Sequence, residues 1–344
     1  MINLTKNTRI ELIRELQVER GNTFVITYVT STRNGFEVQM AMDAVRHFYD
    51  HLLSVTSDKR KIIDLFMHSN GGDGIVPWRL VNLIREHCEG FNILVPNNAF
   101  SAATLTALGA DNIVMHPMGA LGPTDPIVGN HFNPKDPDTH NILGISVEDV
   151  NAYLELIRED VGITHEDELV LAFNHLADKV HPLALGNTRR SRSQSKHLAT
   201  KLLQLHFDPK KDSQKIDEIV ERLTSKSYYH GHPINRSEAK DLGLEVERPS
   251  KQLEETMWKL YLDYENEMLM NKKFNFVQEF IAAFPSIGIN QVQAITLPKM
   301  KGVYIESEHI TDVYVAENQL IGVKKPDGLY EVNMGTMKDG WERE

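Results

Sequence analysis

Residues 61–72 read Lys61-Ile62-Ile63-Asp64-Leu65-Phe66-Met67-His68-Ser69-Asn70-Gly71-Gly72, and residues 93–104 read Ile93-Leu94-Val95-Pro96-Asn97-Asn98-Ala99-Phe100-Ser101-Ala102-Ala103-Thr104. Each is a short apolar run that ends in a polar or glycine turn and passes into a helical pattern. The runs predict strands at 61–67 and 91–96, followed by helices near 77–87 and 101–109 and by a further strand at 112–115. Upstream, the β-branched and aromatic run Thr23–Val29 predicts a strand, and Met42, Val45, Phe48, Tyr49 and Leu52 recur at helical spacing over 39–54. Strands separated by helices of this length imply right-handed crossovers and a mainly parallel sheet.

Outside this alternation the pattern changes. Residues 5–20 read as an N-terminal helical arm, and 145–225 as mostly helical, with the basic, Ser-rich stretch 187–196 in their midst. A long amphipathic helix follows Pro249. Short alternating segments at 292–297, 302–306, 312–315 and 320–323, with a turn at Lys325-Pro326-Asp327-Gly328, predict a small, mostly antiparallel C-terminal domain. The expected division is 1–20 as arm, 21–250 as the main α/β domain, and 251–344 as a helix plus a small β-rich domain.

Composition narrows the function. The 344 residues are 41% hydrophobic and 25% charged, which is ordinary for a globular protein, and the formal net charge is -11. An acidic surface repels phosphate backbones, so nucleic acid is not expected as a partner. The single Cys88 excludes an internal disulfide framework and fits a reducing compartment. No apolar run approaches the roughly 18–20 residues that span a bilayer, and the N-terminus lacks an apolar export signal; a cytoplasmic location is expected. Metalloprotease, phosphate-loop and dinucleotide motifs are missing from the sequence, so no metal or cofactor is expected.

In open α/β sheets, ligands bind outside the carboxyl ends of strands. Two turns stand at such places: His68–Gly74, where paired glycines let backbone N–H groups face a ligand, and Asn97–Thr104, where Ser101 opens a helix. A serine there, with the Ala102 amide and an amide of Gly71 or Gly72, supplies a nucleophile and an oxyanion hole. The same local sequence also suits a serine that merely caps the helix.

The stretches Asp64–Gly72, Ala99–Thr104, Ala107–Met115 and Leu121-Gly122-Pro123-Thr124-Asp125-Pro126, with Tyr229–Ile234 and Glu238–Leu244, resemble in order and spacing the serine dehydrogenase proteinase family. That family belongs with the Clp protease proteolytic subunit and signal peptide peptidase A. The resemblance runs from about residue 60 to 247. It implies a Clp/crotonase-like βαβ superhelix, a serine endopeptidase acting on peptides or unfolded proteins through an acyl-enzyme on Ser101, and a homo-oligomer that hides the serine. Two positions depart from the pattern. Ala102-Ala103 follows the serine where the family usually shows Gly-Gly or Ala-Gly, and Arg190, which stays protonated, stands nearest to a lysine that relatives carry on the middle helix.

In the Clp subunits the triad histidine lies one strand beyond the nucleophile, a place taken here by Thr124-Asp125; the acidic member's place is taken by His230 and His232. The expected triad is therefore Ser101, His230 and Asp125, with base and carboxylate exchanged along the chain. Lys196 and His232 are alternative bases. Asp125 is also a plausible turn residue and His230 a plausible loop histidine. The rival functions are a crotonase-like acyl-CoA hydratase or hydrolase, which needs the two amides but not Ser101, and a non-catalytic peptide-binding scaffold.

Overall fold

The computed structural model describes residues 6–56, 61–124, 127–137, 140–224 and 232–344. In chain order the elements are α1 (Lys6–Glu19), β1 (Phe24–Thr30), β2 (Thr32–Arg33), β3 (Phe36–Glu37), α2 (Ala44–Thr56), β4 (Ile62–His68), α3 (Val76–Arg85), β5 (Gly90–Val95), β6 (Asn98–Ala99), α4 (Ala102–Leu108) and β7 (Asn112–Met115). There follow β8 (Ala120–Leu121), β9 (Ile127–Val128), β10 (Ile145–Ser146), α5 (Val147–Glu155), α6 (Glu166–Lys179), α7 (Pro182–Leu203), α8 (Ser213–Thr224), α9 (Arg236–Asp241) and β11 (Val246–Glu247). The chain ends with α10 (Lys251–Glu267), α11 (Phe276–Ala283), β12 (Val292–Thr296), β13 (Met300–Glu306), β14 (Thr311–Lys324) and β15 (Tyr330–Arg343).

The sheet runs β11-β7-β5-β4-β1-β13-β14-β12, with β15 on β14. From β11 to β1 every pairing is parallel; from β13 onward every pairing is antiparallel. The expected α/β architecture, mainly parallel at its centre and antiparallel toward the C-terminus, is what the chain builds. The two parts meet without a gap, because β1 pairs with β4 on one edge and β13 on the other.

The central strands read as unbroken apolar runs because both of their faces are covered. Phe24, Ile26 and Tyr28 point into a core shared with α2, α3, α4, α7 and α8, while Val25 and Val29 point into a second core shared with α1 and α10. Alternate residues of one strand thus serve opposite cores, as the two-residue period of a strand requires. Leu12, Ile13 and Leu16 of α1 lie in that second core against Leu260 and Tyr264.

The C-terminal strands are longer than their sequence pattern predicts. The segments 312–315 and 320–323 read from sequence as separate strands, yet they are halves of the single 14-residue β14. Polar Glu317-Asn318 breaks the alternation, and there the pairing with β15 shifts register while Asn318 Oδ1 accepts a hydrogen bond from Thr336 Oγ1 at 2.9 Å. A bulge, not a turn, absorbs the polar pair. The β15 strand, beyond the predicted turn at 325–328, has no counterpart in the sequence reading; most of its residues are solvent-exposed, so it carries no strong apolar period.

Candidate active site

The two turns lie side by side because an isolated parallel bridge joins Ser69, just past the end of β4, to Ala99 of short β6. The Ser69 N–H donates to Asn98 O and the Phe100 N–H to Ser69 O, both at 2.9 Å. Gly71 then turns with φ 100°, and no side chain fits there, because a β-carbon would stand 2.7 Å from Phe100 O. On the outer side, the Met40 N–H donates to Gly71 O at 2.8 Å and the Asp73 N–H to Met40 O at 2.9 Å. A β-carbon at Gly72 would meet Met40 O at 2.3 Å, so this close approach needs glycine as well.

The amides of the turn are not equivalent. The Gly71 N–H donates to Ser69 Oγ at 3.0 Å, and the same oxygen accepts from Thr30 Oγ1 at 2.9 Å. Ser69 is fully buried, so this hydroxyl is a fixed anchor. The Gly72 N–H, facing away from Met40, has no partner among the described residues. Of the two glycine amides named from sequence, only that of Gly72 is therefore free to receive an oxyanion.

Ser101 has φ 52° and ψ −113°, a conformation that side chains rarely adopt. The Ala103 N–H donates to Phe100 O at 2.9 Å, placing Ser101 at the first central position of a tight turn, where glycine is the usual occupant. Such a backbone costs about 1–3 kcal/mol and persists only where its surroundings impose it. Here Thr104, buried in the following turn, supplies the clamp: its hydroxyl lies 2.7 Å from Ala99 O and 2.9 Å from Gly122 O, and it accepts the Gly122 N–H at 3.0 Å. Ser101 occupies the N-cap position of α4 but its side chain makes no capping bond. The Ala102 N–H likewise has no partner among the described residues.

Ser101 opens on a cleft of about 300 Å³ whose walls include Gly72, Asp73, Leu105 and Thr124. The far wall is one face of α7, formed by Ser191, Gln194, Ser195 and Leu198 at helical spacing. Ser195 is pinned there by donating to Thr124 O at 2.6 Å. Lys196 points off this face, with its Nζ 2.6 Å from Glu221 Oε2 on α8. Arg190 is exposed and does not line the cleft. His232 is 48% exposed and bonds Glu238 through Nε2 at 2.9 Å, also away from the cleft lining. Asp125 and His230 lie outside the described residues. Thus Ser101, Gly71, Gly72 and Ala102 come together, whereas Lys196 and His232 are engaged elsewhere.

Other histidines serve the framework. His181 caps α7 by accepting the Leu183 N–H at 3.1 Å, and His116 stacks on Trp258 with ring centroids 5.0 Å apart. A Ser-His-Asp arrangement unseen in the sequence occurs at Ser307, His51 and Asp312: His51 Nδ1 is 2.9 Å from Ser307 Oγ and its Nε2 3.4 Å from Asp312 Oδ2. All three are at most 1% exposed, which leaves no path for a substrate. This is a structural network joining α2 to β14.

Residues 2–136 match the family described as ClpP-like SDH-type serine proteinase. The match contains the motifs at 64–72 and 99–126. An uncharacterised protein of Methanocaldococcus jannaschii is 27% identical over 258 residues, 74% of this chain and 78% of that protein. A second from the same organism is 26% identical over 184 residues, 54% of this chain and about half of its own length, 51%. Among solved structures, the 1510-N membrane-bound stomatin-specific protease is similar with a TM-score of 0.37 and 16% identity, covering 68% of this chain and 84% of that one. ClpP1 from Listeria monocytogenes has a TM-score of 0.35 and 13% identity, covering 70% and 99%. No helix among the described residues is long and apolar enough to cross a membrane.

Proposed function

We propose that the chain is a serine peptidase in which Ser101 Oγ attacks the scissile carbonyl and the N–H groups of Gly72 and Ala102 receive the oxyanion. The observation that carries this reading is the strained, non-capping Ser101 set beside two amides that have no partner among the described residues. Strain at one serine, paired with donors left unsatisfied, costs stability and makes chemical sense only when a ligand completes the arrangement.

Attack forms a bond from Oγ to the carbonyl carbon while the hydroxyl proton passes to a base; the negative charge moves onto the carbonyl oxygen between the two amides. Collapse breaks the C–N bond, the amine leaves with the proton, and water hydrolyses the acyl-enzyme by the same steps. His230 is the proposed base and Asp125 its orienting carboxylate. Thr124, which precedes Asp125, lines the cleft, and this supports the choice. Lys196 and His232 would first have to leave Glu221 and Glu238. The substrate is an extended peptide or unfolded protein, approaching on the side of Gly72 opposite Met40. A homo-oligomer that encloses the cleft is part of the same proposal.

The test is turnover of a proteome-derived peptide library by the wild type and by Ser101→Ala, His230→Ala, Asp125→Ala, His232→Ala and Lys196→Ala. Loss of cleavage in the first three, with retention in the last two, is expected. Unchanged cleavage by Ser101→Ala would refute the reading.

A further inference from the structure

A second cleft, remote in sequence from the serine, lies where the β2–β3 hairpin meets the C-terminal end of α10 and the start of β13. Its volume is about 220 Å³. Phe36, Leu269, Phe274, Leu297 and Met300 give it apolar walls. Arg33, only 8% exposed, is set into them, and Glu267, Glu279, Lys299 and Lys301 also line the cleft.

The guanidinium is held by two contacts, and its hairpin by a third. Its Nε donates to Lys272 O at 2.8 Å, its plane lies by the Phe274 ring with Cζ 5.2 Å from the centroid, and the hairpin itself is fastened by the Phe274 N–H donating to Asn34 O at 2.8 Å. The two terminal nitrogens, Nη1 and Nη2, have no partner among the described residues. Burial pulls the group below its usual pKa, a shift that the nearby Glu279 carboxylate offsets only in part. The other cations of the cleft are matched: Lys301 pairs with Glu267, and Lys299 with Glu342 at 2.6 Å. Glu279 lines the same cleft and attracts the guanidinium electrostatically, without an ion-pair contact among the described residues.

We propose that this cleft is a binding site for a small carboxylate with an apolar body, its two oxygens taken by Nη1 and Nη2 of Arg33 and its body by the surrounding apolar walls. An arginine anchored through Nε and by its ring contact presents its remaining edge as a planar fork, the geometry that matches a carboxylate. The volume is below the roughly 300–1,000 Å³ of sites for drug-sized ligands, which restricts the ligand to one short chain or ring. The site does not rest on the peptidase reading, since it contains no part of the serine cleft.

The probes are 3-phenylpropionate and its neutral amide, titrated into the full chain by calorimetry or ligand-observed NMR. The acid is expected to bind at least tenfold tighter than the amide, and Arg33→Gln to erase that difference. Glu279→Gln, which removes the competing carboxylate, is expected to tighten the acid severalfold and leave the amide unchanged. Should Arg33→Gln fail to fold, Leu297→Trp, which fills the cleft and keeps the guanidinium, is expected to abolish binding. Equal binding of acid and amide to the wild type, no saturable binding of the acid, or unaltered acid binding in Arg33→Gln or Leu297→Trp would each overturn the proposal. Ser101→Ala is expected to bind the acid as the wild type does.

Discussion

The backbone of Gly71 lies against the side chain of Ser101: a β-carbon on residue 71 would stand 2.8 Å from Ser101 Cβ and 3.0 Å from the Ala102 nitrogen. The two turns are in contact, and the free Gly72 amide is placed by the same backbone. The most sensitive position in the site is therefore a residue with no side chain.

Gly71→Ala cannot be accommodated without moving Phe100 O or Ser101, and either shift displaces the nucleophile from its donors. Loss of one oxyanion donor costs on the order of 10²-fold in rate, so peptide cleavage by Gly71→Ala should fall by about that factor or more. Steady-state kinetics on folded protein decide this. Wild-type cleavage in the variant would separate Gly71 from the site.

Replacing Ser101 distinguishes strain from chemistry. Ala keeps the disfavoured backbone, whereas Gly adopts φ 52° freely at some cost in unfolded-chain entropy. With about 1–3 kcal/mol of strain against roughly 0.5–1 kcal/mol of entropy, Ser101→Gly should be more stable than Ser101→Ala by about 1 kcal/mol. Urea unfolding measures it, and an Ala variant more stable than Gly by roughly 0.5–1 kcal/mol would show that residue 101 carries no strain.

The strand-turn-helix units at 61–87 and 91–109 were legible because apolar period and turn residues are local signals. The pairing of Gly71-Gly72 with Ser101 followed from the rule that places ligands at strand ends. Which glycine amide is free was not legible, since that depends on Ser69 Oγ and Met40 O, set by tertiary contacts. The span of β14 through Glu317-Asn318 was hidden because a bulge and a turn look alike in composition. Arg33 gave no signal, because a lone arginine in a short hairpin is ordinarily a surface residue.

The same holds for Arg9, which reads as a charge on an amphipathic helix but is 2% exposed. Its Nε lies 2.9 Å from Glu306 and its Nη1 3.2 Å from Asp263, while the Tyr264 hydroxyl donates to Glu306 at 2.6 Å. Arg9→Met leaves two buried carboxylates unmatched, and should destabilise by about 3–5 kcal/mol. Denaturant midpoints at neutral pH test this; a loss below 1 kcal/mol would mean that the network contributes little.

His68 imposes a pH dependence on stability. The ring is fully buried, accepts the Asn98 N–H through Nδ1 and contacts Thr32 Oγ1 through Nε2, and burial pulls its pKa down to about 4. An unfolded histidine takes up a proton below about pH 6.5, so the unfolded state binds more protons between 6.5 and 4. Stability is full above that window and falls on acidification, by up to about 1.4 kcal/mol per pH unit from this group. Unfolding free energies of the wild type should drop between pH 7 and 5, and those of His68→Gln should drop less. Identical slopes would remove His68 from the pH response.

The central claim is that Ser101 is the activated nucleophile, and mass spectrometry after treatment with a fluorophosphonate tests it most directly. One adduct per chain, mapped to the peptide that contains Ser101 and missing from Ser101→Ala, is the predicted result. An unmodified folded wild type, or an adduct on another serine, would contradict it, and tight coenzyme A binding alongside would favour an acyl-CoA enzyme instead.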